Sequence, residues 1–271
     1  MAKERLEAAF KKAAADGRSA FVPYLTAGDP TLEWTGRYLD ALAAAGADVI
    51  ELGVPFSDPV ADGPVNQRSA ERALAGGATL AGVLTLVTAK RAEGFALPLV
   101  LFTYANPAAA MGWESFVRRA AAAGVDGVLL VDVPVEESAE PAAACRAAGL
   151  GTIFLAAPTT SAERLAAAAA ASSGFLYCVA RLGVTGTSAA LDAGLGDDLA
   201  RFKRAAGALP VAVGFGVSTP EQAAAAAKLA DGVIVGSALV RLLEGTDPEA
   251  NGRALGTAAA ALAAAMRRTS C

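Results

Sequence analysis

The hydrophobic pattern of the chain alternates between two kinds of segment. Short apolar runs that end near a Gly, Pro or Asn are typical of buried strands. These runs are Phe21–Gly28, Ala47–Phe56, Pro98–Asn106, Val125–Pro134, Gly151–Pro158, Phe175–Arg181, Pro210–Gly216 and Gly232–Ser237. The segments with helical spacing between them are Leu32–Ala45, Asn66–Ala75 with Leu80–Glu93, Trp113–Ala123, Glu136–Ala148, Ala162–Ala171, Leu191–Ala206, Glu221–Leu229 and Ala250–Arg267. Strand and helix therefore alternate along the whole chain.

Eight strands separated by helices predict a parallel sheet, and 271 residues suit a closed (β/α)₈ barrel, the TIM barrel. Similar phrases recur where helices lead into strands, at 45–50, 123–128 and 229–234, which indicates a repeated βα unit. No Gly-x-Gly-x-x-Gly opens a helix, as it would in a doubly wound dinucleotide-binding sheet. We predict one α/β domain over residues 1–271, a single (β/α)₈ barrel.

Two features extend this barrel. An extra N-terminal helix, Ala2–Ala14, is expected to cover its bottom. The connections after the second strand (57–97) and the sixth strand (182–209) are longer than ordinary βα connections. Long loops at the catalytic face of a barrel are candidates for lids.

Composition and charge exclude several kinds of partner. The net charge is −4 and Lys and Arg form no basic stripe, so we expect neither nucleic acid nor an anionic membrane as a partner. The alanine-rich stretches are too short to span a bilayer, and the N-terminus lacks the apolar core of a signal peptide. Three widely spaced cysteines fit a reducing compartment. A cytoplasmic protein is predicted.

The residue types restrict the chemistry. The chain has no histidine, which excludes a Ser-His-Asp triad, a Cys-His pair and a His-ligated metal. All six lysines fall in predicted helices rather than at strand ends, so a Schiff-base nucleophile is not expected. Acid/base chemistry is therefore assigned to carboxylates, and no metal site is predicted.

Glu51 and Asp62 are the leading candidates for that chemistry. Glu51 interrupts an apolar strand, where an ionised carboxylate without partners would be strongly unfavourable, and Asp62 follows in a turn-rich loop. Burial would raise the pKa of one acid while the loop acid stays ionised near solvent. The alternative is a structural salt bridge for Glu51 and a turn-forming role for Asp62. Asp58 is weaker, because Ser-Asp-Pro is also an ordinary turn.

Glycine-rich segments at the ends of the last strands predict a phosphate site. They begin at Gly183, Gly214 and Gly232. The loops after the seventh and eighth strands of such barrels commonly bind phosphate through backbone amides. Aromatic and aliphatic residues near strand ends could line an apolar pocket, with core packing as the alternative: Tyr24, Phe102, Leu129, Leu155, Tyr177 and Phe215.

Together these motifs resemble one family, the tryptophan synthase alpha chains. The likeness covers essentially the whole chain. It rests on Phe21-Val22-Pro23-Tyr24 with Gly28-Asp29-Pro30, Glu51 to Pro59, Ala61-Asp62-Gly63-Pro64, Thr103 to Pro107, Asp132-Val133-Pro134, Arg181 to Gly186, Gly214-Phe215-Gly216 and Gly236-Ser237.

The resemblance implies a carbon–carbon lyase of tryptophan biosynthesis, which cleaves indole-3-glycerol phosphate to indole and glyceraldehyde 3-phosphate. Glu51 matches the general acid/base and Asp62 the residue that stabilises the indole nitrogen. Tyr177 matches a substrate-site tyrosine and Thr185 a lid threonine. Gly186, Gly216, Gly236 and Ser237 match phosphate-binding positions. The other substrate-binding residues predicted for this site are Tyr24, Phe102, Leu129 and Phe215.

The resemblance also implies a partner, a beta chain that holds pyridoxal phosphate and assembles with this chain as two alpha and two beta chains. No cofactor is expected in this chain, and Asp58 matches the region that faces the partner. The chain departs from the family pattern at Ala180, Asn66, Phe102 and Thr103, and Asn66 stands where an apolar residue is commoner. A stand-alone lyase, a non-catalytic activator of the beta chain and a phosphosugar-binding barrel are the alternatives.

Overall fold

A computed structural model describes residues 2–179, 193–214 and 216–267, and its strands confirm the predicted barrel. The parallel strands are β1 Ala20–Thr26, β2 Ile50–Gly53, β3 Leu99–Thr103, β4 Gly127–Leu130, β5 Gly151–Ile153, β6 Leu155–Ala156, β7 Leu176–Val179, β8 Val211–Gly214 and β9 Gly232–Val235. They pair in the order β5-β4-β3-β2-β1-β9-β8-β7-β6. Phe154 alone separates β5 from β6, so these two strands are halves of the fifth predicted strand and join the two ends of the sheet.

Helices follow the strands around the outside of the sheet. Those in the described residues are α1 Ala2–Ala15, α2 Leu32–Ala44, α3 Pro64–Ala75, α4 Leu80–Ala92, α5 Ala105–Met111, α6 Trp113–Ala123, α7 Ala139–Ala147, α8 Ala162–Ala171, α9 Ala193–Ala206, α10 Pro220–Ala227, α11 Ser237–Val240 and α12 Pro248–Ala265. Single 3₁₀ turns lie at Val135–Glu137 and Arg241–Leu243. Thr31 and Thr219 accept hydrogen bonds from helical amides at the starts of α2 and α10.

The elements that follow the third and fourth strands differ from the sequence prediction. The third strand ends at Thr103, and a short helix, α5, begins where the pattern predicted the strand to continue to Asn106. Asp132, from the loop after β4, accepts a hydrogen bond from the amide of Ala105 at 2.8 Å. This distant carboxylate satisfies one of the free amides at the helix start, which local pattern cannot show. The predicted helix Glu136–Ala148 is divided at Ser138 into the 3₁₀ turn and α7.

Helix α1 closes the bottom of the barrel, as predicted. Its Leu6 and Phe10 belong to a buried cluster inside the barrel, which we call the inner cluster: Leu6, Phe10, Ala13, Ala20, Val22, Val49, Val100, Leu129, Ile153, Phe175, Tyr177, Ala212 and Ile234. A Cβ atom on Gly127 or Gly151 would lie 3.0 Å from Leu6, so small residues at the strand starts make room for the helix. Arg5 also pairs with the fully buried Asp126 at 2.5 Å.

The long connection after β2 carries α3 and α4, the two helices that the sequence pattern predicted there. The connection after β7 crosses 180–192, outside the described residues, before α9. Among the described helices no single one has the length and apolar composition to cross a membrane. Helices α3 and α4 reach that length and apolar composition only when taken together, and the chain bends by 89° between them.

Candidate active site

A cavity of about 290 Å³ opens at the carboxyl ends of the strands. This is the end at which parallel barrels carry their active sites. Nine of the residues predicted from the sequence line it together: Tyr24, Glu51, Asp62, Phe102, Leu155, Tyr177, Gly216, Gly236 and Ser237. Residues far apart in sequence therefore converge because their strands end at one face.

Glu51 is directed into the barrel by the alternation of strand β2. Ile50 and Leu52 belong to the cluster between sheet and helices, whereas Val49, two residues before Glu51, belongs to the inner cluster. Alternate residues of a strand share a face, so Glu51 faces inward with Val49. Its neighbours in register are Tyr24 on β1 and Val100 on β3.

Glu51 is 1 % exposed, and neither of its carboxyl oxygens has a hydrogen-bond partner among the described residues. Burial raises its pKa from 4.5 to about 8, because the low-dielectric surroundings disfavour the charged form. The salt bridge considered as an alternative for Glu51 is not found among the described residues. A carboxyl group with this pKa can both give and take a proton near neutral pH.

Asp62 occupies the loop before α3 and is half-buried. Its Oδ2 accepts a hydrogen bond from the Tyr104 hydroxyl at 2.8 Å, and its Oδ1 accepts a longer one, 3.5 Å, from Asn66 Nδ2. The Tyr104 hydroxyl in turn accepts from the amide of Ala61 at 3.1 Å. Burial raises the pKa of Asp62, and the bonds from Tyr104 and Asn66 oppose that rise. The ionised form of Asp62 is therefore favoured by hydrogen bonds from Tyr104 and Asn66, whereas the sequence had suggested that contact with solvent would favour it.

Two tyrosines stand beside the carboxyl groups. Tyr24 packs edge-to-face on Phe102, with ring centroids 5.2 Å apart, and its hydroxyl lies 3.4 Å from Thr26 Oγ1. Burial raises the pKa of Tyr24 and of Tyr177, and negative charge on Glu51 and Asp62 raises both further. Both phenols therefore stay neutral and present a polar hydroxyl in an otherwise apolar wall.

Each tyrosine hydroxyl lies against a glycine. A Cβ atom on Gly53 would lie 2.2 Å from the Tyr24 hydroxyl oxygen, and one on Gly214 would lie 2.5 Å from that of Tyr177. Only glycine permits so close an approach of a side chain to a strand backbone. Gly53 and Gly214 thus fix where the two rings end.

We expect Gly53→Ala to destabilise the protein by about 1–3 kcal/mol, because overpacking displaces the Tyr24 ring. Tyr24→Leu in the Gly53→Ala background should recover part of that loss, since the shorter side chain vacates the space. The matched control is Gly196→Ala on helix α9, where a Cβ meets no atom of the described residues within 4 Å. Urea unfolding of the variants checks this, and equal stability of Gly53→Ala and Gly196→Ala would contradict it.

The predicted phosphate positions lie at the ends of β8 and β9. Gly216 has a φ of +90°, which favours glycine, and Gly236 directly precedes the short helix α11, which begins at Ser237. A Cβ on Gly236 would lie 3.7 Å from the Tyr24 side chain. Gly216, Gly236 and Ser237 share one rim of the cavity lining with Arg241. Backbone amides and a cation at one rim suit an anion.

Some predicted site residues lie elsewhere. Leu129 does not line the cavity, because it is fully buried in the inner cluster below it. Asp58 is exposed on the loop after β2, where its Oδ2 accepts a hydrogen bond from Ser57 Oγ at 2.5 Å. Thr185, Gly186 and Phe215, with Ala180 and Arg181, lie outside the described residues.

Tyr104 and Arg241 were not predicted from the sequence as site residues. Tyr104 stands in a quoted motif, but its contact with Asp62 spans 42 residues and has no local signal. Arg241 reaches the lining from the 3₁₀ turn after α11, whose formation was not predicted.

The cavity lining within the described residues contains no lysine. The described part of the chain also has no group of three or more His, Cys, Asp or Glu side chains placed to hold a metal ion. The titratable groups that this lining offers are carboxyl, phenol and guanidinium groups. These groups suit proton transfer and charge stabilisation.

Comparison with known proteins gives a consistent result. The family model of the tryptophan synthase alpha chain matches residues 10–267. A tryptophan synthase alpha chain of Phenylobacterium zucineum is 52 % identical over 240 residues, 89 % of this chain and 86 % of that one. Another, of Rhizorhabdus wittichii, is 50 % identical over 264 residues, 97 % of each chain.

Solved structures agree with these sequence relatives. The crystal structure of a tryptophan synthase alpha chain from Legionella pneumophila superposes with a TM-score of 0.87 at 38 % identity, covering 97 % of both chains. A chain of tryptophan synthase from M. tuberculosis also gives 0.87 at 38 % identity, covering 98 % of this chain and 99 % of that one. The similarity therefore extends over the whole barrel.

Proposed function

The chain belongs to the tryptophan synthase alpha chain family, and from this premise we propose that it cleaves indole-3-glycerol phosphate to indole and glyceraldehyde 3-phosphate. The observation that carries the proposal is Glu51, a buried carboxyl group that has no hydrogen-bond partner among the described residues and lies in the cavity that Asp62 also lines. Such a group is unfavourable for stability. Its cost is explained if the substrate supplies the missing partners.

In the proposed reaction Glu51 moves two protons. Its protonated form, favoured below about pH 8, donates a proton to C3 of the indole ring. The ring becomes an indolenine cation with a tetrahedral C3. The Glu51 carboxylate then takes the proton of the glycerol hydroxyl next to the ring, the carbon–carbon bond breaks, and its electron pair returns to the ring. Indole and the aldehyde are released, and Glu51 is protonated again.

Asp62 is the proposed electrostatic partner of this cation. Its carboxylate would accept a hydrogen bond from the ring nitrogen and stabilise the positive charge that develops there. The bonds from Tyr104 and Asn66 hold the carboxylate in place before the substrate arrives. Preorganised groups of this kind lower the barrel's reorganisation during the reaction, which is the usual source of their effect.

The rest of the cavity suits the two ends of the substrate. Tyr24, Phe102 and Tyr177 offer aromatic and apolar surface for an indole ring, and the backbone at Gly216, Gly236 and Ser237, which line the same cavity, is proposed for the phosphate. We include Thr185, Gly186 and Phe215 in the proposed site on the strength of the family resemblance alone.

We also propose that the chain works with a tryptophan synthase beta chain in the cytoplasm, as two alpha and two beta chains. Pyridoxal phosphate would belong to that partner. The loop that carries Asp58 supports the proposal, because it is exposed beside the cavity mouth and presents Val60 with 84 % of its surface accessible. Contact with a partner chain would remove this apolar side chain from water.

The test is indole release from indole-3-glycerol phosphate by the purified chain, first alone and then with a beta chain added. We expect slow release alone and a strong increase with the partner. Fast release that the partner does not change would instead indicate a stand-alone lyase. No release in either condition would overturn the proposed reaction.

A further inference from the structure

Asn66 has hydrogen-bonding capacity that no other described residue uses. Among the described residues, the buried side-chain oxygen and nitrogen atoms without a partner are Glu51 Oε1, Glu51 Oε2 and Asn66 Oδ1. Both residues line the same cavity. The proposed proton transfers account for Glu51, but not for Asn66. A buried carbonyl oxygen without a donor costs free energy, so Asn66 Oδ1 points to a missing donor.

The orientation of the Asn66 amide follows from its neighbour. Asn66 is the third residue of α3, and its Nδ2 donates to Asp62 Oδ1 at 3.5 Å. An ionised carboxylate can only accept, so the amide nitrogen must face Asp62 and the amide oxygen must face away from it. The group therefore presents an acceptor close to Asp62 but not blocked by it.

We propose that Asn66 Oδ1 accepts a hydrogen bond from the ring N–H of the substrate, which it shares with Asp62. Asn66 is then a specificity-determining residue that favours a heteroaromatic ring carrying a donor over one without. The inference rests on the proposed function, because it needs a ring N–H beside Asp62. An apolar side chain at this position would leave the N–H to Asp62 alone.

The ring is a better match than the glycerol hydroxyls. The amide oxygen and the amide nitrogen of Asn66 are bonded to the same carbon atom, and the nitrogen donates to Asp62 Oδ1. The oxygen is therefore also close to Asp62. The oxygen thus belongs to the end of the cavity where Asp62 would meet the ring. A neutral acceptor there also favours the positive charge that the ring nitrogen gains during cleavage.

The experiment uses two unreactive ligands, an indole and a benzofuran, each with a three-carbon alkyl phosphate at ring position 3. They differ in the N–H, and neither has the glycerol hydroxyls. Dissociation constants are measured by calorimetry for the wild type, Asn66→Leu, Asp62→Ala and the double variant. The control is Gln67→Leu, because Gln67 Nε2 supports the same loop by donating to the Asp62 carbonyl oxygen at 2.8 Å but does not line the cavity.

We expect Asn66→Leu to reduce the preference for indole over benzofuran about fivefold, the usual effect of one hydrogen bond. The reduction should persist in the Asp62→Ala background, while Gln67→Leu should change both affinities by the same factor. An equal change for both ligands in Asn66→Leu, or an effect that vanishes with Asp62→Ala, would overturn the inference. The inference would also be overturned if the wild type bound neither ligand.

Failure of the proposed function is separately visible. A wild type that shows the Asn66-dependent preference but releases no indole from indole-3-glycerol phosphate would retain the inference and lose the reaction. A wild type that releases indole with a preference independent of Asn66 would retain the reaction and lose the inference.

Discussion

Glu51→Gln is expected to slow indole release by about 10²–10⁴-fold, the usual contribution of a positioned acid/base group. Glutamine keeps the shape of the side chain but can neither donate a carboxyl proton to C3 nor take one from the hydroxyl. Binding of the unreactive indole phosphate should survive, because Glu51 acts on the reacting atoms. Single-turnover assays and calorimetry measure the two effects.

The matched control is Glu71→Gln, the same substitution at an exposed position of helix α3. It should leave the rate unchanged. Substantial cleavage by Glu51→Gln would remove Glu51 from the mechanism. Loss of ligand binding together with activity would show that the substitution had disturbed the cavity rather than the chemistry.

The pH dependence of kcat/KM adds a signature that disruption cannot imitate. The first proton transfer needs protonated Glu51, so the wild-type value should be level below about pH 8 and fall tenfold per pH unit above it. On the acid side it should fall as Asp62 becomes protonated, at a pH above the ordinary aspartate pKa of 3.8, because burial raises the pKa of this carboxyl group. The alkaline limb should be missing from any residual activity of Glu51→Gln.

Stability against pH checks the fold of the same variant. The pKa of Glu51 is raised in the folded state, so its contribution is fully present below its ordinary pKa of 4.5 and is lost as the pH rises through about 8. A shift of this size corresponds to at most about 5 kcal/mol. Glu51→Gln should lack this loss and be the more stable protein above pH 8 in urea unfolding.

Asp62→Asn should give the second largest loss, about 10²–10³-fold in kcat, because it removes a preorganised charge opposite the developing cation. The amide is nearly isosteric, so KM should change much less than kcat. The comparison variant is Tyr104→Phe, which keeps the carboxylate but removes the hydroxyl 2.8 Å from it. We expect a smaller loss there, about tenfold, because one hydrogen bond is removed.

Kinetics with indole-3-glycerol phosphate separate the two variants. Asp62→Asn at the wild-type kcat would show that the cation needs no carboxylate. An equal loss in both variants would mean that orientation by Tyr104, and not the charge of Asp62, sets the rate.

The barrel could be predicted from the sequence because each strand and helix carries its own local signal. Glu51 was visible in the same way, as one polar position in an apolar strand. The N-terminal helix was also predictable, although its fit against Gly127 and Gly151 was not. Period and polarity are properties of neighbours in sequence, and they survive folding unchanged.

The missing parts depend on contacts between distant residues. Helix α5 begins where Asp132 meets the amide of Ala105, 27 residues away. Tyr104 acquires its role by reaching Asp62 across 42 residues. Leu129 was predicted to line the cavity because it lies near a strand end, but its level in the barrel places it in the inner cluster. The depth of a side chain along the barrel axis depends on register, which no single strand specifies.

Helix α1, which closes the bottom of the barrel, also determines how molecules enter and leave the cavity. Leu6 and Phe10 lie in the buried cluster that fills the barrel below the cavity, so within residues 2–179, 193–214 and 216–267 the axis is blocked at its base. Substrate and products must then pass through the opening at the carboxyl ends of the strands. In the proposed reaction, indole and glyceraldehyde 3-phosphate would therefore leave through the same opening, and a protein bound over that opening would control the order of their release. A partner chain bound there would receive the apolar indole before it reached solvent.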